Sequence, residues 1–142
     1  MKSVRVVIDT NILASGLRYR KGVSHRVLSL LGSRGFTPIV TVPLVVEYEK
    51  TLQEPRLKIP FSRGDIEKFL DYFCSVSHCQ IIHYLWRPSL PDPKDDMVLE
   101  AAVNGRCPYI VTFNIEDFRG ASRFGVEALK PKEFLMKIGE PT

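Results

Sequence analysis

The sequence lacks the segments that would send a chain into or across a membrane. No apolar run among its 142 residues approaches the roughly 20 residues that a membrane-spanning helix needs. Nothing at the N-terminus resembles a signal peptide, because Met1, Lys2 and Ser3 lead directly into a predicted strand. We therefore expect a cytoplasmic protein with no membrane partner.

Cysteine is scarce and forms neither a disulfide pattern nor a metal-binding pattern. The chain holds Cys74, Cys79 and Cys107, an odd number without a CxxC pair, in otherwise apolar surroundings. This arrangement predicts reduced thiols in the core and argues against disulfides or a zinc site.

Motifs for several other chemistries are also absent. The chain has no phosphate-binding GxxxxGK[ST] or GxGxxG sequence, which argues against nucleotide-binding loops of those types. Ser15 and Ser24 lack a base at a recognisable motif, and His25, His78 and His83 show no metal-ligand spacing. Serine and histidine catalysis are therefore poor candidates.

The composition that is present indicates one globular domain over residues 1–142 and is compatible with a polyanionic partner. Hydrophobic residues make up 44% and charged residues 25%, which are ordinary values for a globular protein. The net charge of +4 and the pI near 9.1 favour a nucleic-acid partner, although the basic residues form no dense run. Arg18, Arg20, Lys21 and Arg56, in exposed connections, are the candidates for nucleic-acid contacts.

Strand-like and helix-like segments alternate along the chain. The strands are predicted within 4–11 and at 36–42, 80–84, 108–112 and, weakly, 126–129. Helices are predicted at 11–17, from the N-cap Ser24 to Gly32, at 43–55, from Ser62 or Asp65 to about 77, from Asp92 onward and at 131–138, with a turn at 87–93 and a loop or short turn at 114–118. This alternation predicts an α/β fold, with a parallel sheet covered by helices on both faces.

Asp9 closes the first predicted strand and has two possible roles. The carboxyl ends of strands in an open α/β sheet are where ligands bind, and Thr10 and Asn11 add further oxygen atoms there. Aspartate is also a good N-cap for the helix that follows. The stretch 4–11 alone leaves both interpretations open.

Asp95 and Asp96 compete for the inward position at the start of one predicted helix. Asp95 shares its face with the apolar residues Val98 and Ala102, whereas the face of Asp96 also carries Glu100. We therefore favour Asp95 as the inward carboxylate and keep Asp96 as a candidate metal ligand. In the alternative interpretation, both acids only complement the helix dipole.

An acidic pocket forms if the first and fourth strands are neighbours in the sheet. Asp9, Glu47, Asp95 and the pair Asn114 and Asp117 would then converge, although Glu47 taken singly suits a partly exposed surface. Oxygen ligands favour Mg²⁺ or Mn²⁺, and crowded carboxylates repel one another without such ions. The reaction that fits this pocket is hydrolysis of a phosphodiester.

Four segments, in this order, resemble those of PIN-domain proteins, which include the ribonuclease toxins of prokaryotic toxin–antitoxin pairs. These segments are residues 7–15, 42–52, 92–102 and 110–118, and residues 125–135 resemble the closing strand and helix of the family. The opening motif alone is moderately specific, and the four together are a strong signal.

The resemblance implies a three-layer α/β/α sandwich around a mainly parallel sheet, and cleavage of single-stranded RNA with Mg²⁺ or Mn²⁺. It also implies a homodimer and a cognate antitoxin protein. Asp9, Glu47 and Asp95 correspond to the first three metal-binding acids of the family, and Thr10 and Asn11 correspond to supporting residues, for which Thr112 is a further candidate. The chain departs from the family pattern at the fourth acid, two residues after Thr112.

Asn114 stands where that fourth acid is expected. Its role could pass to Asp117 or be partly lost, because a neutral amide oxygen binds a second metal more weakly. Asn114 and the basic loops therefore also support an alternative, a non-catalytic nucleic-acid-binding module. A phosphatase with Asp9 as nucleophile is a third and weaker hypothesis. Such enzymes carry a DxD motif after the first strand, whereas Asp9 is followed here by Thr10 and Asn11, so the second aspartate of the motif is missing.

Overall fold

A parallel sheet forms the centre of the computed structural model, which describes residues 3–33, 35–83, 90 and 92–140. Its strands are β1 (Val4–Ile8), β2 (Phe36–Val40), β3 (His78–Cys79), β4 (Tyr109–Val111) and β5 (Glu127–Leu129). They lie in the order β3-β2-β1-β4-β5, and all four pairings are parallel. The order reverses between β1 and β4, which opens a crevice at the carboxyl ends of these two strands.

Helices connect the strands and cover both faces of the sheet. They are α1 (Thr10–Arg18), α2 (Val23–Ser29), α3 (Val42–Leu52), α4 (Arg63–Ser75), α5 (Pro93–Asn104) and α6 (Pro131–Lys137), with 3₁₀ segments at Pro55–Leu57 and Ile115–Phe124. The chain crosses the sheet in one direction from β1 through β2 to β3, and in the other direction from β3 through β4 to β5. Because crossovers between parallel strands are right-handed, the helices of the first set of connections lie on one face of the sheet and those of the second set on the other. The predicted α/β sandwich is confirmed. None of the helices in the described ranges is long and apolar enough to pass through a bilayer.

The core explains why the first strand is apolar at consecutive positions. Val6, Val7 and Ile8 are fully buried, as expected for the middle strand of a sheet with both faces covered. Farther out, the rings of Phe36 and Phe134 meet edge to face at 5.2 Å, which joins β2 to α6.

The strand predicted at 80–84 is wrong, because β3 lies earlier and is only two residues long. The Gln80 N–H still donates to the Val40 carbonyl at 2.7 Å, but Ile81 is exposed. The His83 N–H donates to Asn104 Oδ1 at 2.6 Å, so the chain has left the sheet there. The apolar pair at 81–82 was therefore misread as part of a buried strand. Tyr84 and most of the predicted turn at 87–93 lie outside the described residues.

Most helix bounds differ from the prediction by one to three residues, and two differences change how a segment is interpreted. Gly22, not Ser24, is the N-cap of α2, and Ser24 lies buried within that helix. The loop or short turn predicted at 114–118 instead begins two short 3₁₀ helices within Ile115–Phe124, separated by a kink at Phe118 (φ −110°, ψ 20°). Phe118 and Ala121 are the buried residues of this stretch.

The packing of α5 against β2 depends on the absence of a side chain at Gly105. A Cβ there would lie 2.6 Å from Ile39 Cγ2 and 2.8 Å from the Ala101 carbonyl oxygen.

Gly105→Ala should therefore lower the free energy of unfolding by about 1–3 kcal/mol in urea titrations. Gly64→Ala is the matched control in α4, since its Cβ would meet nothing closer than 3.9 Å. Equal midpoints for the two variants would contradict this packing.

Candidate functional site

Asp9 is held at the crevice between β1 and β4 by three hydrogen bonds. Its N–H donates to the Val111 carbonyl at 2.9 Å, and the Thr112 hydroxyl donates to Asp9 Oδ2 at 2.7 Å. The Thr10 N–H donates to Asp9 Oδ1 at 2.8 Å, and Asp9 is the N-cap residue of α1. Capping does not use up the carboxylate, because its two oxygens together offer about four acceptor positions. The two roles considered for Asp9 are therefore compatible.

The surroundings of Asp9 shift the equilibrium of its carboxyl group toward the protonated form. Burial raises the pKa of this carboxyl above its usual range, and the negative charge of Asp117 raises it further. The hydrogen bonds from Thr112 and Thr10 act in the opposite direction without cancelling the effect of burial. The carboxylate is thus well oriented but only partly compensated.

Asp95 reaches the same region from the first turn of α5. It is half-buried and lines a cleft of about 460 Å³ together with Asp9. Burial, followed by repulsion from Asp9, Asp92, Asp117 and Asp96, raises the pKa of Asp95 to about 7. Helix α5 thus brings this acid to the cleft that Asp9 also lines.

Asp96 points elsewhere, although it is the next residue in the same helical turn. It is buried, and its Oδ1 accepts a hydrogen bond from the Leu90 N–H at 3.0 Å. It is absent from the walls of the cleft. Of the two acids that the sequence left open, the structure brings Asp95 to the cleft and assigns Asp96 a contact with the chain that precedes α5.

Glu47 lies in the cleft wall, but its charge is already balanced by a side chain from another helix. Its Oε1 is 3.6 Å from Lys94 Nζ and accepts a hydrogen bond from the Thr51 hydroxyl at 2.9 Å. Sequence reasoning missed both partners. Thr51 could have been found one helical turn after Glu47, whereas the Lys94 contact spans α3 and α5 and has no local signal.

The polar residues after β4 divide between the cleft and the surface. Asn114 lines the cleft, and its N–H donates to Thr112 Oγ1 at 3.0 Å. Asp117 is exposed and not part of the wall, although its charge acts on Asp9 and Asp95. The structure therefore places Asn114, rather than Asp117, in contact with the cleft.

The predicted basic residues also separate into two groups. Arg18 and Arg56 line the cleft, with Arg56 Nε at 2.5 Å from the Glu54 carboxylate. Arg20 lines a different groove, between α1, α2 and α4, and Lys21 is exposed in the turn before α2. The run at 18–21 thus leaves the cleft after its first two residues, because α1 ends at Arg18.

Tyr48 is a buried polar contact that the helical pattern presented only as an apolar residue. Its side chain is fully buried, and its hydroxyl donates to the carbonyl of Ile8, the residue before Asp9. Burial, assisted by the negative charge of Asp9, keeps the pKa of Tyr48 well above its usual value. The hydroxyl therefore stays protonated and anchors the end of β1.

The donor atoms in the cleft fit a hard cation, but with fewer acids than the sequence suggested. Within the described ranges, no three His, Cys, Asp or Glu side chains form a group that could hold a metal ion. Asp9 and Asp95 supply two carboxylates, and Asn11 supplies a buried side-chain oxygen with no hydrogen-bond partner in the structure. Two carboxylates, neutral oxygens and water are a ligand set that Mg²⁺ accepts.

Comparisons with known proteins agree with this architecture. The family model described as "PIN domain" matches residues 5–116, and PIN domains are generally nucleases. A chain in the crystal structure of VapBC2 from Rickettsia felis, bound to a DNA fragment from their promoter, superposes with a TM-score of 0.60. The two chains are 14% identical, and the match covers 89% of this chain and 98% of the other. No curated protein matches the sequence.

The burial of Asp95 and its repulsion by Asp9 should together be measurable as a pH-dependent loss of stability without metal. The folded-state pKa of Asp95, about 7, lies above its ordinary value of 3.8, so the folded chain binds more protons and stability falls as pH rises between these values. At pH 8 in EDTA, Asp95→Asn should raise the free energy of unfolding by about 1 kcal/mol, an estimate reduced for solvent screening.

The matched control is Asp71→Asn, an exposed acid on α4. It should keep the wild-type dependence of stability on pH, whereas Asp95→Asn should flatten it. A wild-type slope in Asp95→Asn, measured by urea unfolding between pH 4 and pH 8, would show that folding does not raise the pKa of Asp95.

Proposed function

The chain belongs to the PIN-domain family, and on that premise we propose that it is a metal-dependent endoribonuclease acting on single-stranded RNA. The observation that carries the proposal is the meeting of Asp9 and Asp95 in one cleft at the reversal of strand order. Two buried or half-buried acids that repel each other gain stability from a bound cation. Among the reactions such a cation supports, phosphodiester hydrolysis is the one that the family membership favours.

Asp9 and Asp95 would hold the Mg²⁺ or Mn²⁺ ion, with Asn11 and Asn114 as neutral oxygen donors in the same cleft. Such an ion, when bound, lowers the pKa of the attacking water and stabilises the leaving oxygen. Lys94 forms an ion pair with Glu47. Asp9 and Asp95, once both are deprotonated, carry two negative charges, which match one divalent ion.

The surrounding residues would keep Asp9 in its working orientation. Thr112 fixes one carboxylate oxygen and the Thr10 N–H fixes the other, while Tyr48 holds the preceding carbonyl of Ile8. Partners of this kind orient a metal ligand and limit its reorganisation when the ion binds. Thr112 is therefore a positioning residue in this proposal.

The cations of the cleft would contact the RNA backbone. Arg18 and Arg56 line it, and they come from the end of α1 and from the 3₁₀ segment Pro55–Leu57. Guanidinium and ammonium groups neutralise phosphates and position a strand without reading its sequence.

Removal of either carboxylate charge should abolish cleavage. Asp9→Asn and Asp95→Asn should each lower the rate at saturating Mn²⁺ by more than about 100-fold, because even outer-shell partners of metal ligands typically contribute 10–100-fold. The rate is measured on a labelled single-stranded RNA by gel electrophoresis, and circular dichroism checks the fold of each variant. Asp71→Asn should cleave at the wild-type rate, and cleavage by Asp9→Asn at that rate would refute the proposal.

A second function, a non-catalytic RNA-binding module, is favoured by one specific observation. Asn114 is neutral where the family has a fourth acid, and Glu47 forms an ion pair with Lys94. The cleft therefore offers few carboxylates that could bind a second metal. This alternative predicts RNA binding with a steep salt dependence and no cleavage at any Mg²⁺ or Mn²⁺ concentration. The same assay, performed on the wild type, separates the two functions.

The proposal extends to a cytoplasmic toxin that forms a homodimer and is neutralised by an antitoxin protein. Its support is the resemblance of the motifs and the fold shared with a chain of the VapBC2 complex. The identity of 14% carries the fold alone, so partner and assembly need tests of their own.

Induced expression of the chain in a bacterial host should stop growth, while Asp9→Asn expressed at the same level should not. Light scattering of the purified chain should give about twice the 16.2 kDa of one copy. Unimpaired growth with active wild-type nuclease would remove the toxin role, and a mass of one copy would remove the homodimer.

A further inference from the structure

An aromatic ring stands in the cleft wall at the opposite end of α1 from Asp9. Tyr19 is the C-cap residue of this helix, and its side chain is 52% exposed while lining the same cleft as Asp9 and Asp95. The contacts of Asp9, Asp95 and Glu47 do not involve it. A half-exposed ring in a cleft walled largely by charged and amide groups calls for a ligand with an aromatic face.

The ring is carried by a fixed piece of backbone. The Tyr19 N–H donates to the Ser15 carbonyl at 2.9 Å, and the Tyr19 carbonyl accepts from the Gly22 N–H at 3.2 Å. The guanidinium of Arg18 lies 5.0 Å from the ring centroid, within the range of a cation–π contact. The backbone of Tyr19 is thus fixed by hydrogen bonds at its N–H and at its carbonyl, and Arg18 contacts one face of its ring.

We propose that Tyr19 forms a nucleobase subsite, on which an unpaired base of the RNA stacks while the carboxylates act on a neighbouring phosphate. Stacking on aromatic residues beside basic groups is how proteins bind single strands without regard to sequence. A base inside a duplex offers no free face, so the subsite selects single-stranded RNA. This inference rests on the RNA substrate proposed above and adds the contact that holds a base.

The charges around the ring favour RNA over an apolar peptide as the occupant. Arg18, which lies beside the ring, and Arg56 share the cleft with Tyr19 and suit a chain that carries a phosphate on every unit. The nine residues of α1 span about 14 Å at roughly 1.5 Å per residue, so the stacked base lies a few nucleotides from the phosphate at Asp9.

The test uses the full chain in EDTA, so that binding is measured without cleavage, and single-stranded RNA with one 2-aminopurine placed at successive positions. Stacking on a tyrosine quenches the fluorescence of this base. Wild type and Tyr19→Phe should quench this fluorescence, and a duplex of the same sequence should show no added quenching. Tyr19→Leu should lose the quenching and bind roughly 10-fold more weakly.

The matched control is Tyr72→Leu, because Tyr72 is 49% exposed on α4 and lines a different groove. It should bind and quench as the wild type does. Equal quenching by Tyr19→Leu and wild type would overturn the subsite, whether or not RNA is cleaved with Mn²⁺. Quenching that depends on Tyr19 in a protein that never cleaves RNA would support the subsite and remove the nuclease.

Discussion

The hydrogen bond from Thr112 to Asp9 ties together the ends of the two strands between which the sheet reverses its order. It forms because β1 and β4 are parallel neighbours, with Ile8 opposite Val111, so that the next residue on each strand reaches the same edge. Asp9 also starts α1, and Asn114 bonds to the same threonine. The cleft therefore inherits its position from the register of the central strands, which is fixed by the packing of their fully buried side chains.

This arrangement keeps two carboxylates closer to each other than their charges favour. The folded chain pays part of the cost through the hydrogen bonds to Asp9, and the rest remains as raised pKa values at Asp9 and Asp95. Lys94 relieves Glu47 but leaves that pair uncompensated. A cation that binds between the two carboxylates removes their repulsion, and this gain adds to its affinity. An acidic cleft that lowers the stability of the folded chain is therefore suited to binding a metal ion.

The sequence was informative wherever a local period decides which way a side chain points. The buried first strand and the α/β alternation both follow from spacing along the chain, and the structure agrees with both. Spacing also favoured Asp95 as the inward acid of α5, whereas Asp96 is the buried one and Asp95 lines the cleft. Contacts between elements had no such signal. The Lys94–Glu47 pair depends on how α3 and α5 cross, and β3 is short because the apolar residues after it leave the sheet.

Helix α1 connects the two halves of the cleft as a rigid spacer. Asp9 caps its N-terminus and Arg18 lies in its last turn, so the charge at each end complements the helix dipole. Gly16 lets α2 pack closely against it, because a Cβ there would lie 2.4 Å from Leu28 Cδ1. A helix fixed in this way sets the distance between a carboxylate at one end and an aromatic ring at the other. The spacing between Asp9 and Tyr19 is therefore a property of the fold rather than of a loop.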